Sequence, residues 1–152
     1  MDIQIIDSPI CFNLHGLSSE VENEQYGPTG LRLMDAMWKV VKASGLGTTG
    51  INHWVYLPDG RMFVGVEVTD PDRARVPEPL EPCEFELPRS LKHVHIGPYQ
   101  TLPQKWAALK SEIADRGESI GFPSLEIYSH ASCDGTTEPE TTILLGLKRT
   151  GP

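Results

Sequence analysis

The feature that most constrains this chain is an order of elements that can be read twice. Strand, helix, strand, strand occupies the first half of the 152 residues and recurs in the second. In residues 3–17, Ile3, Ile5, Phe12 and Leu14 fall partly in alternation, the mark of a strand. Residues 18–30 are acidic and carry Gly27, Pro28 and Gly30, which predicts a loop. In residues 31–44, Met34, Met37, Trp38 and Val41 recur at helical spacing, and Gly45 can close the helix. A hairpin follows, with arms 52–57 and 61–69 about the turn Pro58-Asp59-Gly60.

Residues 71–88 contain Pro71, Pro77, Pro79, Pro82 and Pro88 and predict a linker. The order then repeats. Residues 90–95 predict a strand, and 102–116 a helix marked by Leu102, Trp106, Leu109 and Ile113 and ended by Gly117. Thr101 and Gln104 have the spacing of a capping box. Residues 124–130 and 141–148 predict a second hairpin. Gly16 matches Gly97, Trp38 matches Trp106, and Trp54 with Tyr56 matches Glu126 with Tyr128. Duplication accounts for this order better than chance. The predicted fold class is therefore α+β: tandem duplicated β-α-β-β units forming an antiparallel sheet, two helices on one face and a ligand groove between the repeats. The expected division is one domain, with repeat 1 at 1–70, a linker at 71–88 and repeat 2 at 89–150.

Composition narrows the function classes. The net charge of −8 argues against nucleic acid as a direct partner, since phosphate binding needs clustered Lys and Arg. It gives a mild bias toward cationic ligands, although solubility alone explains such a charge. No run approaches the length of a membrane span, and the first ten residues lack a basic signal region. Cys11, Cys83 and Cys133 are odd in number and widely spaced, which fits a reducing cytoplasm and no disulfide framework. No P-loop, GxGxxG or GxSxG elbow is present, so no cofactor is expected. His93 and His95 form an HxH pair, but a third ligand at a recognisable spacing is missing and no metal site is expected. Cys133 has no base at a fixed spacing.

Strand alternation puts Leu125 and Ile127 on one sheet face and Glu126 and Tyr128 on the other. The expectation is that Leu125, Ile127, Ile143, Leu145 and Leu147 pack under the helices, with Met34, Trp106 and Leu109 also buried. The opposite face would then carry Trp54, Tyr56, Phe63, Glu126 and Tyr128. Tyr99, in the turn His95-Ile96-Gly97-Pro98-Tyr99, could lean into the same groove. A partly desolvated carboxylate among aromatic rings attracts a cation stacked on their faces. From pattern alone, an ordinary solvent-facing strand position is the better account of Glu126.

Taken together, His95-Ile96-Gly97-Pro98-Tyr99, Leu102, Trp106 and Leu109, Pro123-Ser124-Leu125-Glu126-Ile127-Tyr128 and Glu140-Thr141-Thr142-Ile143 resemble the GyrI-like small-molecule-binding domain. This is also the effector-binding domain of multidrug-responsive bacterial regulators. The resemblance is clear over residues 90–148 and weaker over 1–69. It implies a tandem-repeat fold with a ligand groove, Glu126 as acidic anchor for hydrophobic, cationic aromatic compounds, and aromatic residues of both halves stacked on the ligand. Some members of the family are hydrolases that open cyclopropane rings, in which case Glu126, Tyr99 and Tyr128 would be the catalytic groups. Others modulate DNA gyrase, which makes a protein partner a third reading. The two repeats leave no room for a helix-turn-helix segment, so the expectation is a stand-alone cytoplasmic binding module.

Overall fold

A computed structural model describes residues 1–121, 123–128 and 138–148. The chain is α+β. Its described elements are β1 (Gln4–Ile6), β2 (Ile10–Glu20), α1 (Tyr26–Ser44), β3 (Asn52–Leu57), β4 (Arg61–Val66), β5 (Glu81–Leu87), β6 (Ser90–Ile96), α2 (Leu102–Asp115), β7 (Ser124–Tyr128) and β8 (Glu140–Gly146). They form two compact units. One is Cys11–Glu86, and the other joins Met1–Ile10 to Leu87–Pro152.

Within each unit's β-α-β-β motif (β2-α1-β3-β4 and β6-α2-β7-β8) the first strand pairs with the third and the third with the second. The strand order is β5-β2-β4-β3 in one unit and β1-β6-β8-β7 in the other. The pairs β1–β6, β2–β4, β3–β4, β6–β8 and β7–β8 are antiparallel. Each unit thus adds an edge strand beside the first strand of its β-α-β-β motif. The edge strand β1 lies far in sequence from β6, its partner, with Ile5 opposite Leu91. The edge strand β5 lies inside the proline-rich stretch expected to be a linker. Pro82 removes one backbone donor, and an edge strand tolerates that loss. Alternation is still visible there, since Glu84 and Glu86 are exposed while Leu87 is buried. Phe12 of β2 stacks on Phe85 of β5 with centroids 5.0 Å apart.

Helix α1 begins at Tyr26, five residues earlier than expected, because its glycines and proline lie within its first turns rather than in a loop. Pro28 is harmless there, where its missing N–H has no helical partner. Gly30 has a packing reason. A Cβ at that position would lie 2.3 Å from the Trp54 ring, so the bare backbone lets Trp54 lie against the helix. The buried stripe of α1 is Gly30, Leu33, Met37 and Val41, and Met34 is only half-buried.

In the other unit, Leu102, Leu109 and Ile113 of α2 pack on Leu91, Ile143, Leu145 and Leu147. Leu109, Ile143, Leu145 and Leu125 are buried as expected, whereas Trp106 and Ile127 are partly buried. The capping box does not form, because the Thr101 hydroxyl donates backward to the Pro98 carbonyl at 2.7 Å and leaves α2 without a side-chain cap. Arg89 ties this unit together. Its guanidinium donates to Asp7 at 2.8 Å and to Glu118 at 2.6 Å. The Arg89 hydrogen bond, opposed by partial burial, holds the Glu118 carboxyl below its ordinary range, while the same bonds raise Arg89 above its own.

Two expectations follow for stability. Gly30→Ala should gain up to about 1 kcal/mol of helix propensity. It should lose more through the clash with a rigid indole, since overpacking costs about 1–3 kcal/mol. Urea unfolding should show a net loss, and a net gain would mean that Trp54 does not lie over α1. For Glu118, a depressed carboxyl contributes stability that is present above the unfolded-state value and lost as pH falls through the folded one. The stability difference between wild type and Arg89→Met should therefore be full at neutral pH and shrink in acid, below about pH 4. A difference that is constant from neutral pH to pH 2 would contradict the ion pair.

Candidate functional site

The site is built on the α2 side of its unit. In the pairing of β7 with β8, Glu126 stands opposite Ile143 and Tyr128 opposite Thr141. Residues opposed in an antiparallel pair share a face. Ile143 belongs to the cluster under α2, so Glu126 and Tyr128 also point toward the helix, and Tyr128 packs against that cluster. This corrects the predicted orientation. Leu125 stands opposite Leu144 and lies on the face away from α2. It is fully buried, but not under the helix. Alternation correctly separated Glu126 from Leu125, and only the hairpin register decides which of the two meets α2.

Glu126 is 3% exposed. A carboxylate at that depth is costly unless hydrogen bonds replace its water. Here they do. The Trp106 indole N–H donates to Glu126 Oε2 at 3.0 Å, and the Tyr128 hydroxyl donates to Oε1 at 2.9 Å. One donor comes from the helix above and the other from the same strand two residues on. Tyr99 completes the group, its ring edge-on to that of Tyr128 with centroids 5.5 Å apart and planes at 88°. Tyr99 is 46% exposed and marks where the cluster reaches solvent. The arrangement is a fixed carboxylate held by two aromatic donors, with a third aromatic ring packed on one of them. It can attract a cation through space without presenting a wet, mobile charge.

Helical spacing makes Trp38 and Trp106 packing residues that could also reach the base of a groove, and Trp106 is a direct partner of the carboxylate. Its position in mid-helix, aligned with Trp38, was the available signal. In the other unit Trp38 does the same kind of work, its indole donating to Asn52 at 2.7 Å.

The remaining predicted residues belong to that other unit. Trp54 and Tyr56 stand opposite Val64 and Met62, on the face toward α1, where Tyr56 meets Tyr26 edge-on at 5.3 Å. Phe63 does not join them. Across the three-residue turn it pairs with Val55, on the opposite face, and its ring folds over Gly65, where a Cβ would lie 2.4 Å away. Phe63 is 2% exposed, so the expected aromatic surface loses this member.

His93 and His95 are each engaged separately. His93 Nδ1 lies 2.7 Å from the Asp2 carbonyl, and His95 Nε2 lies 2.8 Å from Thr101 Oγ1. Among the described residues no group of His, Cys, Asp and Glu is arranged to hold a metal. Cys133 and His130 lie outside the described residues. Among those described, no helix is long and apolar enough to cross a membrane.

The fold has solved counterparts. The C-terminal domain of EcmrR superposes with a TM-score of 0.69 at 15% identity, covering 98% of this chain and 97% of that one. SAV2435, solved bound to tetraphenylphosphonium, gives 0.62 at 15% identity over 97% and 94%. A protein of Listeria innocua described as a hydrolase gives 0.57 at 12% identity over 96% and 91%. At these identities the likeness establishes the fold. No family model matches the sequence, and no curated protein matches it.

The hydrogen bonds to Glu126 are testable by a double-mutant cycle on stability. Trp106→Phe should cost about 1.5–3 kcal/mol, the range for a bond to a charged group. Combined with Glu126→Leu, it should cost less than the sum by about 1 kcal/mol or more. Strict additivity would mean that the two side chains do not interact.

Proposed function

We propose that this protein binds bulky hydrophobic cations, with Glu126 as the charged anchor and Tyr128, Trp106 and Tyr99 as its aromatic surround. The observation that carries this reading is a carboxylate 3% exposed with both oxygens held by aromatic donors. Such a group is expensive to bury and is not part of an apolar core. A cation about 6 Å from it, at an effective dielectric of about 20, gains about 3 kcal/mol. The fold is shared with SAV2435, whose bound tetraphenylphosphonium is a cation of this class.

A second reading is favoured by one contact. The Tyr128 hydroxyl on Glu126 places a phenol and a carboxylate together, the pair a small-molecule hydrolase could use to activate water and protonate a leaving group. The chain shares its fold with a protein described as a hydrolase. Ring-opened, hydrated product from a cyclopropane-bearing alkylator, formed by wild type and not by Tyr128→Phe, would select this reading. Measurable binding of that compound with turnover at the buffer rate would reject it.

The binding reading is tested by calorimetric titration with tetraphenylphosphonium. Wild type should bind, and Glu126→Gln should bind more weakly by about tenfold to a hundredfold. Equal affinity in the two proteins would remove Glu126 from the role of anchor.

A further inference from the structure

Tyr99 is held in the site by only about half of its own surface. It is nearly half exposed and begins a single 3₁₀ turn, Tyr99–Thr101, between β6 and α2. Its place therefore depends on the backbone of that turn as well as on its contact with Tyr128. Gly97 enters it at φ 139°, a conformation open to glycine and rare for other residues, and its N–H donates to the Pro139 carbonyl at 3.0 Å. The Pro98 carbonyl then accepts twice from Thr101, from the backbone N–H at 3.2 Å and from the hydroxyl at 2.7 Å.

The hydroxyl has one hydrogen, and Pro98 receives it. At 2.8 Å from His95 Nε2, Thr101 Oγ1 must then accept, so Nε2 carries a hydrogen and donates it. The same nitrogen lies 3.4 Å from the Pro98 carbonyl. His95 is 8% exposed and belongs to a rigid strand. A buried sheet side chain thus reaches past the end of its strand and grips the turn at two oxygens. The threonine that would otherwise cap α2 gives its hydroxyl to this grip.

We propose that His95 is a positioning residue. Acting through Thr101 and the Pro98 carbonyl, it holds Tyr99 in edge-to-face contact with Tyr128, and so sets the affinity of the Glu126 site for its ligand. The chain of contacts is continuous: His95 to Thr101, Thr101 to Pro98, Pro98 to Tyr99 by covalent bond, Tyr99 to Tyr128, and Tyr128 to Glu126. The effect on affinity rests on the binding reading above, whereas the effect on Tyr99 does not.

The test has two arms and uses the full chain. In the first, fluorotyrosine is placed at position 99 and its ¹⁹F resonance is read without ligand. His95→Leu and Thr101→Val should each move the resonance toward that of the free amino acid. His95→Gln, which keeps an N–H near the place of Nε2, and Thr101→Ser, which keeps the hydroxyl, should leave it near wild type. An unmoved resonance in both His95→Leu and Thr101→Val overturns the proposal, and so does an equal shift in all four variants. In the second arm tetraphenylphosphonium is titrated. His95→Leu should weaken binding about threefold to tenfold, the span of one aromatic pair, with His95→Gln close to wild type. In a Tyr99→Ala background His95→Leu should add less than about twofold. An undiminished effect in that background would show that His95 acts elsewhere. If wild type binds no tetraphenylphosphonium, the binding reading fails and the fluorine arm alone decides the latch. Thermal melting of each variant identifies one that has unfolded, and Thr101→Val provides the second route should His95→Leu be among them.

Discussion

A carboxylate buried between a sheet and a helix makes a demand that the surrounding residues must meet. Glu126 is out of water, and the Trp106 indole and Tyr128 hydroxyl supply donors in its place. Meeting that demand fixes much else. Trp106 must face the strand, which sets the rotation of α2 about its axis. Leu102, Leu109 and Ile113 then fall on the apolar residues of β6 and β8. Tyr128 must turn toward Glu126, which offers its ring to Tyr99. Polar satisfaction and apolar packing select the same helix orientation, and that agreement is what makes one arrangement preferred over its neighbours.

The two units repeat one topology and use it differently. Each places a mid-helix tryptophan so that its indole N–H reaches a polar side chain on a strand of its own unit: Trp38 to Asn52, Trp106 to Glu126. In the α1 unit the helix face of the strand carries Trp54, packed against bare Gly30, and Tyr56 beside Tyr26. At the matching strand positions the α2 unit carries Glu126 and Tyr128. Packing fills one face of this shared scaffold, and a charged cluster with an exposed tyrosine occupies its counterpart. Two units of one topology allow this division, since one can hold the fold while the other carries polar groups that stability alone would not favour.

Much of this was legible in the sequence, and the misses share a cause. Helix spacing and turn residues located both helices, both hairpins and the link between Glu126 and Tyr128, because those signals are local. Which face met the helix was not legible. It depends on the register across a hairpin, and a change of one residue in that register sends Glu126 and Leu125 to opposite partners. The same parity removed Phe63 from the surface of Trp54 and Tyr56. Strand β1 pairs with β6 from the far end of the chain, and no local pattern announces such a partner. Gly and Pro at residues 27–30 have loop composition, yet they lie in the first turns of α1. Their meaning came from a first turn that tolerates Pro28 and a neighbouring indole that requires Gly30. Thr101 had the spacing of a cap, but His95 and Pro98 compete for its hydroxyl, and the competitor lies on another element.

The most direct measurement is the ¹H–¹⁵N resonance of the Trp106 indole, assigned by its disappearance in Trp106→Phe, during titration with tetraphenylphosphonium. That N–H rests on Glu126 Oε2 and therefore reports on the carboxylate itself. A ligand anchored by Glu126 should shift the resonance saturably, with the same dissociation constant that calorimetry reports. Binding by calorimetry with an unmoved Trp106 indole resonance would place the ligand elsewhere and contradict the role assigned to Glu126.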